Sequence, residues 1–195
     1  MKRSIIALAL AAALPLSAQA GEIKYNYVEA GYNNADFLGD NGTGFYGEGS
    51  FAFNEKFYGT VSYRSATNDD LGIDVSLDET VVNFGYRMST SDKVDFIAEV
   101  GYVNVGLDIE DIASDNADGY RVAAGFRGML APKFEASIKG YYTDLGGENG
   151  GGEFGARVGG VFHINQTWGI VGSFDTTELG DESINTWGLG VRASF

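Results

Sequence analysis

The sequence predicts an all-β fold: a transmembrane antiparallel up-and-down β-barrel of ten strands, with eight strands as the alternative count. Three observations predict it. Apolar side chains recur at every second position over ten separate stretches. The connections between those stretches alternate short and long, as they do when a barrel has one turn end and one loop end. Every ionisable residue within the stretches falls on the face opposite the apolar one.

Composition narrows the class. The chain has 195 residues, with 29 Gly, 13% aromatics, no Cys, and 13 Lys+Arg against 27 Asp+Glu, for a net charge of −14. That length suits one domain. The acidic balance excludes nucleic acid as a partner, since polyphosphate binding needs a basic footprint. The lack of Cys excludes a disulfide scaffold, a thiolate metal site, a Cys nucleophile and a lipidated lipoprotein N-terminus.

Residues 1–20 read as a cleaved secretory signal peptide. Lys2 and Arg3 form a positive start, Ile5 to Leu14 is an apolar run, and Ala18-Gln19-Ala20 is a small-x-small cleavage site. The remaining 21–195 form the barrel, with 11 bases and 27 acids. No later stretch is long and apolar enough to be a membrane helix.

The strands follow in order. In the first, Val28, Ala30 and Tyr32 point outward and Tyr25, Tyr27, Glu29 and Gly31 inward. Outward sets then run Phe45 to Phe53, Phe57 to Tyr63, Val82 to Tyr86, Val94 to Tyr102 and Tyr120 to Phe126. Phe134 to Tyr142, Phe154 to Phe162, Trp168 to Phe174 and Trp187 to Phe195 complete the ten. At about 9–11 residues each, they are long enough to cross a bilayer at a tilt. Short turns are expected at Asn54–Lys56, Ser89–Lys93, Leu130–Lys133 and Asn165–Thr167. Long loops are expected at Asn33–Gly44, Ser65–Glu79, Val103–Asp118, Thr143–Glu153 and Thr176–Ser183.

A soluble sandwich alternates too, so charge and rings must decide. The inward faces collect Glu29, Glu48, Arg64, Arg87, Asp95, Glu99, Arg121, Arg127, Glu135, Lys139, Arg157, Asp175 and Arg192, seven bases against six acids. In a narrow lumen such charges must pair, because desolvation costs several kcal/mol per ion. Glu29 and Glu48 are expected to meet Arg64 and Arg192. Aromatic residues cluster at the ends of the outward faces, where a headgroup interface suits them.

Lys24, Lys56, Lys93 and Lys133 gather at the turn end, whereas the five long loops hold 18 acids and no base. Those carboxylates admit two readings: Mg²⁺ or Ca²⁺ bridging to lipopolysaccharide phosphates, or a solvated, self-repelling surface. The second fits better, because no loop has the spaced ligands of a calcium loop; Asp115, Asn116, Asp118 and Gly119 come nearest. No metal, cofactor or catalytic set is expected. The single His, His163, sits at the turn end without an oriented nucleophile, and Ser173 nearby makes no triad. Gly146-Gly147 and Gly150–Gly152 resemble a phosphate loop in composition alone, and Asp69-Asp70 is a loop charge pair.

The signal, the Tyr25-x-Tyr27-x-Glu29-x-Gly31-Tyr32 strand and the terminal Trp187-Gly-Leu-Gly-Val-Arg-Ala-Ser-Phe195 together resemble those of small outer-membrane β-barrel proteins. Trp187, Leu189, Val191 and Phe195 look like the signal read by the barrel assembly machinery. Signal and first strand are most similar to the xanthomonad outer-membrane family described as an activator of plant immunity and controlled by diffusible signal factor. The resemblance implies outer-membrane residence, contact with lipid and lipopolysaccharide, release in vesicles, and association with motility, biofilm and virulence. The function expected is a non-enzymatic structural and surface-interaction barrel. A narrow pore is the alternative, since many inward positions are Gly; a hydrolase or lipid-modifying enzyme is the third reading.

Overall fold

The computed structural model describes residues 22–37, 40–68, 74–109, 113–146, 152–179 and 182–195. Residues 1–20, expected to be a signal peptide, together with Asp69-Asp70 and the glycines at 147 and 150–151, lie outside these. Ten strands form among the described residues: β1 (Tyr27–Phe37), β2 (Asp40–Ala52), β3 (Phe57–Asn68), β4 (Val75–Ser91), β5 (Val94–Ile109), β6 (Ala113–Ala131), β7 (Phe134–Leu145), β8 (Gly152–His163), β9 (Trp168–Leu179) and β10 (Glu182–Ser194). Each pairs antiparallel with the next, and β10 closes on β1, so no sheet edge is left open. The count is ten, not eight.

The strands outrun the sequence expectation, from 11 residues in β1 to 19 in β6. Most of what reads as long loop is ladder: β1 and β2 pair out to Phe37↔Asp40, and β5 and β6 to Ile109↔Ala113. The reason is physical. Apolar alternation stops where the hydrocarbon stops, but backbone hydrogen bonding does not, and Ser, Thr, Asn and Asp carry the hairpins on into water. At the other end the turns tighten to Asp92-Lys93 and Pro132-Lys133, each beside a register shift, between Ser89 and Ser91 and between Met129 and Ala131. Two further turns use one device. Asn54 Oδ1 accepts from the amides of Lys56 and Phe57 at 2.8 and 2.9 Å, and Asn165 Oδ1 from those of Thr167 and Trp168 at 2.8 Å each.

The two faces decide barrel against sandwich. Phe45, Leu189 and Phe195 are 60%, 58% and 66% exposed, while Tyr25, Tyr27, Tyr58 and Tyr141 are buried inside. A water-soluble domain would invert that arrangement. Rings pack along the outer skin at both ends: Phe53, Phe57, Phe84 and Tyr86 near the turns, and Phe45 with Tyr63 and Tyr142 with Phe154 near the loops.

Candidate functional site

The lumen is built from tyrosines, glycines and ion pairs. Residues 22–26 precede β1 and cross the turn end of the barrel. There Tyr25 lies between the Arg87 and Arg127 guanidiniums, 4.2 and 4.7 Å from its ring centre, and donates to Asp95 at 3.0 Å. The same pairing of a phenol with a carboxylate recurs up the barrel. Tyr27 donates to Glu48 at 2.5 Å, Tyr58 to Glu99 at 2.8 Å and Tyr141 to Asp175 at 2.7 Å. Each hydroxyl supplies a hydrogen bond that a desolvated carboxylate would otherwise take from water.

Each of the thirteen inward charges lies in an ion pair. Arg192 bonds Glu29 at 2.7 Å and reaches Glu135 at 3.3 Å, and Arg127 bonds Glu135 at 2.7 Å. Lys139 meets Glu99 at 2.8 Å, Arg157 meets Glu48 at 3.6 Å, Arg87 lies 4.0 Å from Asp95 and Arg64 3.9 Å from Asp175. The expected partners are therefore only half right. Glu29 does meet Arg192, but Glu48 meets Arg157 and Arg64 leans on Asp175, because closure brings β8 and β9 opposite β2 and β3.

Arg121 pairs with Glu79 at 2.6 Å, a residue that the sequence reading leaves in a loop. Glu79 is legible in hindsight: counting back by twos from Arg87 through Gly85, Asn83 and Val81 lands on it. With it, the paired groups are seven carboxylates against seven bases. His163 lies 3.4 Å from Glu135 at the turn end, against a carboxylate already held by two arginines.

Gly31, Gly85, Gly155 and Gly190 hold rings rather than open space. A Cβ at Gly85 would overlap the Tyr58 ring, and one at Gly155 the Tyr141 ring. Tyr46 lies over Gly31 and Gly190, where added Cβ atoms would come 2.6 and 2.5 Å from it. In all three cases tyrosine and glycine face each other directly across a ladder, as Tyr58↔Gly85, Tyr141↔Gly155 and Gly31↔Tyr46.

Free volume along the axis includes cavities of about 70 Å³ toward the turns, about 30 Å³ in the middle and about 120 Å³ toward the loops. Glu48, Glu99, Lys139 and Arg157 border both the first and second; Arg64, Glu79, Arg121 and Asp175 border both the second and third. Charged layers thus separate the spaces.

Outside, the upper girdle tyrosines reach carboxylates one row beyond the apolar band. Tyr63 donates to Asp78 at 2.7 Å, Tyr120 to Asp144 at 3.3 Å, and Tyr102 to Asp118. The Tyr102 hydroxyl and the Asn104 amide hold the exposed Asp118 carboxyl below its ordinary range. Among the described residues no three His, Asp or Glu side chains converge as a metal site. Trp187, Leu189 and Val191 lie on the outer face of β10, with Phe195 just beyond it; the Phe195 amide donates to Asn26 at 3.0 Å, beside the seam.

The family that the chain matches agrees with this build. Residues 6–162 match a family model described as outer membrane protein beta-barrel domain. No curated protein matches the chain. Many solved structures are similar, three of them as follows. Ail, the attachment invasion locus protein of Yersinia pestis, shares 17% identity at a TM-score of 0.46, over 87% of this chain and 97% of that one. The translocator domain of the autotransporter NalP from Neisseria meningitidis shares 8% at 0.48, over 100% and 94%. OprG from Pseudomonas aeruginosa shares 11% at 0.45, over 91% and 99%. With most of its length under that one family model, and a skin that a bilayer must cover, this chain belongs to the outer membrane β-barrel family and resides in the outer membrane.

Proposed function

We propose that the protein is a non-enzymatic structural and surface-interaction barrel, with a lumen packed shut and an acidic rim turned outward. One observation carries the reading: tyrosine rings lie over Gly31, Gly85, Gly155 and Gly190, positions that would have widened a pore, and charged layers divide what space remains. A lumen this narrow accords with barrel scaling, in which open channels need about 16 strands. The similarity of its first strand to the xanthomonad immunity-associated family supports a role at the cell surface, in biofilm or in host contact, with release in vesicles. Export through cleavage after Ala20 brings the chain to the periplasm. Trp187, Leu189, Val191 and Phe195 then present the assembly machinery with an apolar strand ending in a ring. Lipid and lipopolysaccharide cover the skin, and the loop carboxylates stay solvated or hold divalent cations between themselves and lipopolysaccharide phosphates.

Planar-bilayer recording tests the closed lumen. The wild-type barrel, inserted and verified by its heat-modifiable migration, is expected to give a silent membrane. Steady single-channel steps would replace this reading with the pore.

A further inference from the structure

Above the ion pairs, the inward faces change character. Leu77, Val105, Leu145 and Ile184 line the cavity of about 120 Å³ at the loop end, with Ala35 and Ala66 buried in the same wall. These positions have lumen parity, so lipid does not cover them. Leu77 and Ile184 pack against the buried cluster of Ala35, Ala66 and Val75 on one side, and with Val105 and Leu145 they turn their remaining apolar surface toward the cavity, where an apolar body would cover it.

Five charged groups face this space: Arg64, Arg121, Glu79, Asp175 and Glu153. Four are engaged. Arg121 is bound by Glu79 at 2.6 Å and by Thr143 at 2.8 Å, and Asp175 takes the Tyr141 hydroxyl at 2.7 Å and has Arg64 beside it. Glu153 is the fifth. It stands at the rim; the base that acts on it is Arg121, which is already bound by Glu79, and among the described residues no base forms an ion pair with it within 4.0 Å. Three carboxylates against two guanidiniums leave the pocket negative. Such a field concentrates cations and repels anions.

We propose that the mouth binds a small organic cation: a primary amine with a branched or ring-sized apolar body. The ammonium sits on Glu153 and the body against Leu77, Val105 and Ile184. Size follows from volume: a dry cavity of about 150 Å³ accepts benzene, so this one takes a body of about five or six carbons. The proposal holds whether or not the lumen below conducts.

The test uses the folded barrel in nanodiscs at low salt, titrated calorimetrically with isoamylamine, isoamyl alcohol and isovalerate. These share one branched body and differ in head charge. The amine is expected to bind at least about fivefold tighter than the alcohol, with isovalerate weakest. Glu153→Gln should erase the amine's advantage and leave the alcohol unchanged. Ala66→Leu, which fills the pocket, should abolish both. Tighter isovalerate, or an absence of saturable binding, overturns the proposal. So does an amine signal that persists in Ala66→Leu, which would mark partition into lipid. An amine preference that survives Glu153→Gln overturns it as well. Heat-modifiable migration reports whether Ala66→Leu still folds; Glu153→Gln, at the rim, decides the matter if it does not.

Discussion

Arg192 serves two carboxylates at once, Glu29 across the seam and Glu135 from β7, while its guanidinium lies 3.8 Å from the Tyr27 ring centre. Arg192, Glu29 and Glu135 are all under a tenth exposed. Arg192→Ala leaves the buried Glu29 without its cation while Glu135 keeps Arg127, which costs about 3–5 kcal/mol. Arg64 is a different case. Its partner Asp175 sits 3.9 Å away and keeps the Tyr141 hydroxyl when Arg64 is gone. Arg64→Ala should therefore cost less than Arg192→Ala, about 1–3 kcal/mol. The temperature at which the folded band converts to the unfolded one on a gel ranks the two variants. A larger drop for Arg64→Ala would contradict the observed partners and restore those expected from the sequence.

At the scale of the strand, glycine means opposite things on the two faces. Gly31, on the seam, has the Leu189 carbonyl and Gly190 backbone on one side and the Tyr46 ring on the other. Backbone cannot step aside, so Gly31→Ala should open the β1–β10 ladder and cost about 1–3 kcal/mol. Gly140 and Gly172 point outward with nothing within 4 Å of a new Cβ. Alanine there removes unfolded-state freedom, and each substitution should be neutral or stabilise by about 0.5–1 kcal/mol. Denaturant midpoints for the three variants check the contrast; equal losses would show that the rings do not set the glycine positions. The turn devices are also testable. Asn54→Ala and Asn165→Ala each remove an acceptor shared by two amides, and should each cost about 1 kcal/mol without changing strand register.

The whole cylinder resolves a conflict that adjacent strands create. Glu29 stands directly opposite Glu48 in the β1–β2 ladder, and Lys139 opposite Arg157 in the β7–β8 ladder. Like charges so placed destabilise an isolated hairpin. Closure turns β2 toward β8 across the lumen, and Glu48 and Arg157 then come within 3.6 Å. The expected signature is non-additivity. Arg157→Ala should cost about 1–3 kcal/mol, and Glu48→Gln in the same chain should recover part of it by removing the repulsion against Glu29. Additive losses in the double-mutant cycle would mean that the two groups do not interact across the lumen.

Strand number, the facing of the side chains and the apolar skin were legible in the sequence. They rest on a period of two, which is a local property of an extended chain, and on the contrast between lipid and lumen, which each residue meets alone. The sequence could not show where the strands end, since polar hairpin extensions such as those of β5 and β6 carry no apolar rhythm. Nor could it show that Tyr58 covers Gly85, that Glu79 joins Arg121, or that the mouth lined by Leu77 and Ile184 turns apolar. Arg192 and Glu29 are 163 residues apart in the chain and 2.7 Å apart in space. Which acid meets which base depends on the stagger between strands and the width of the lumen, and these quantities exist only once the sheet has closed on itself.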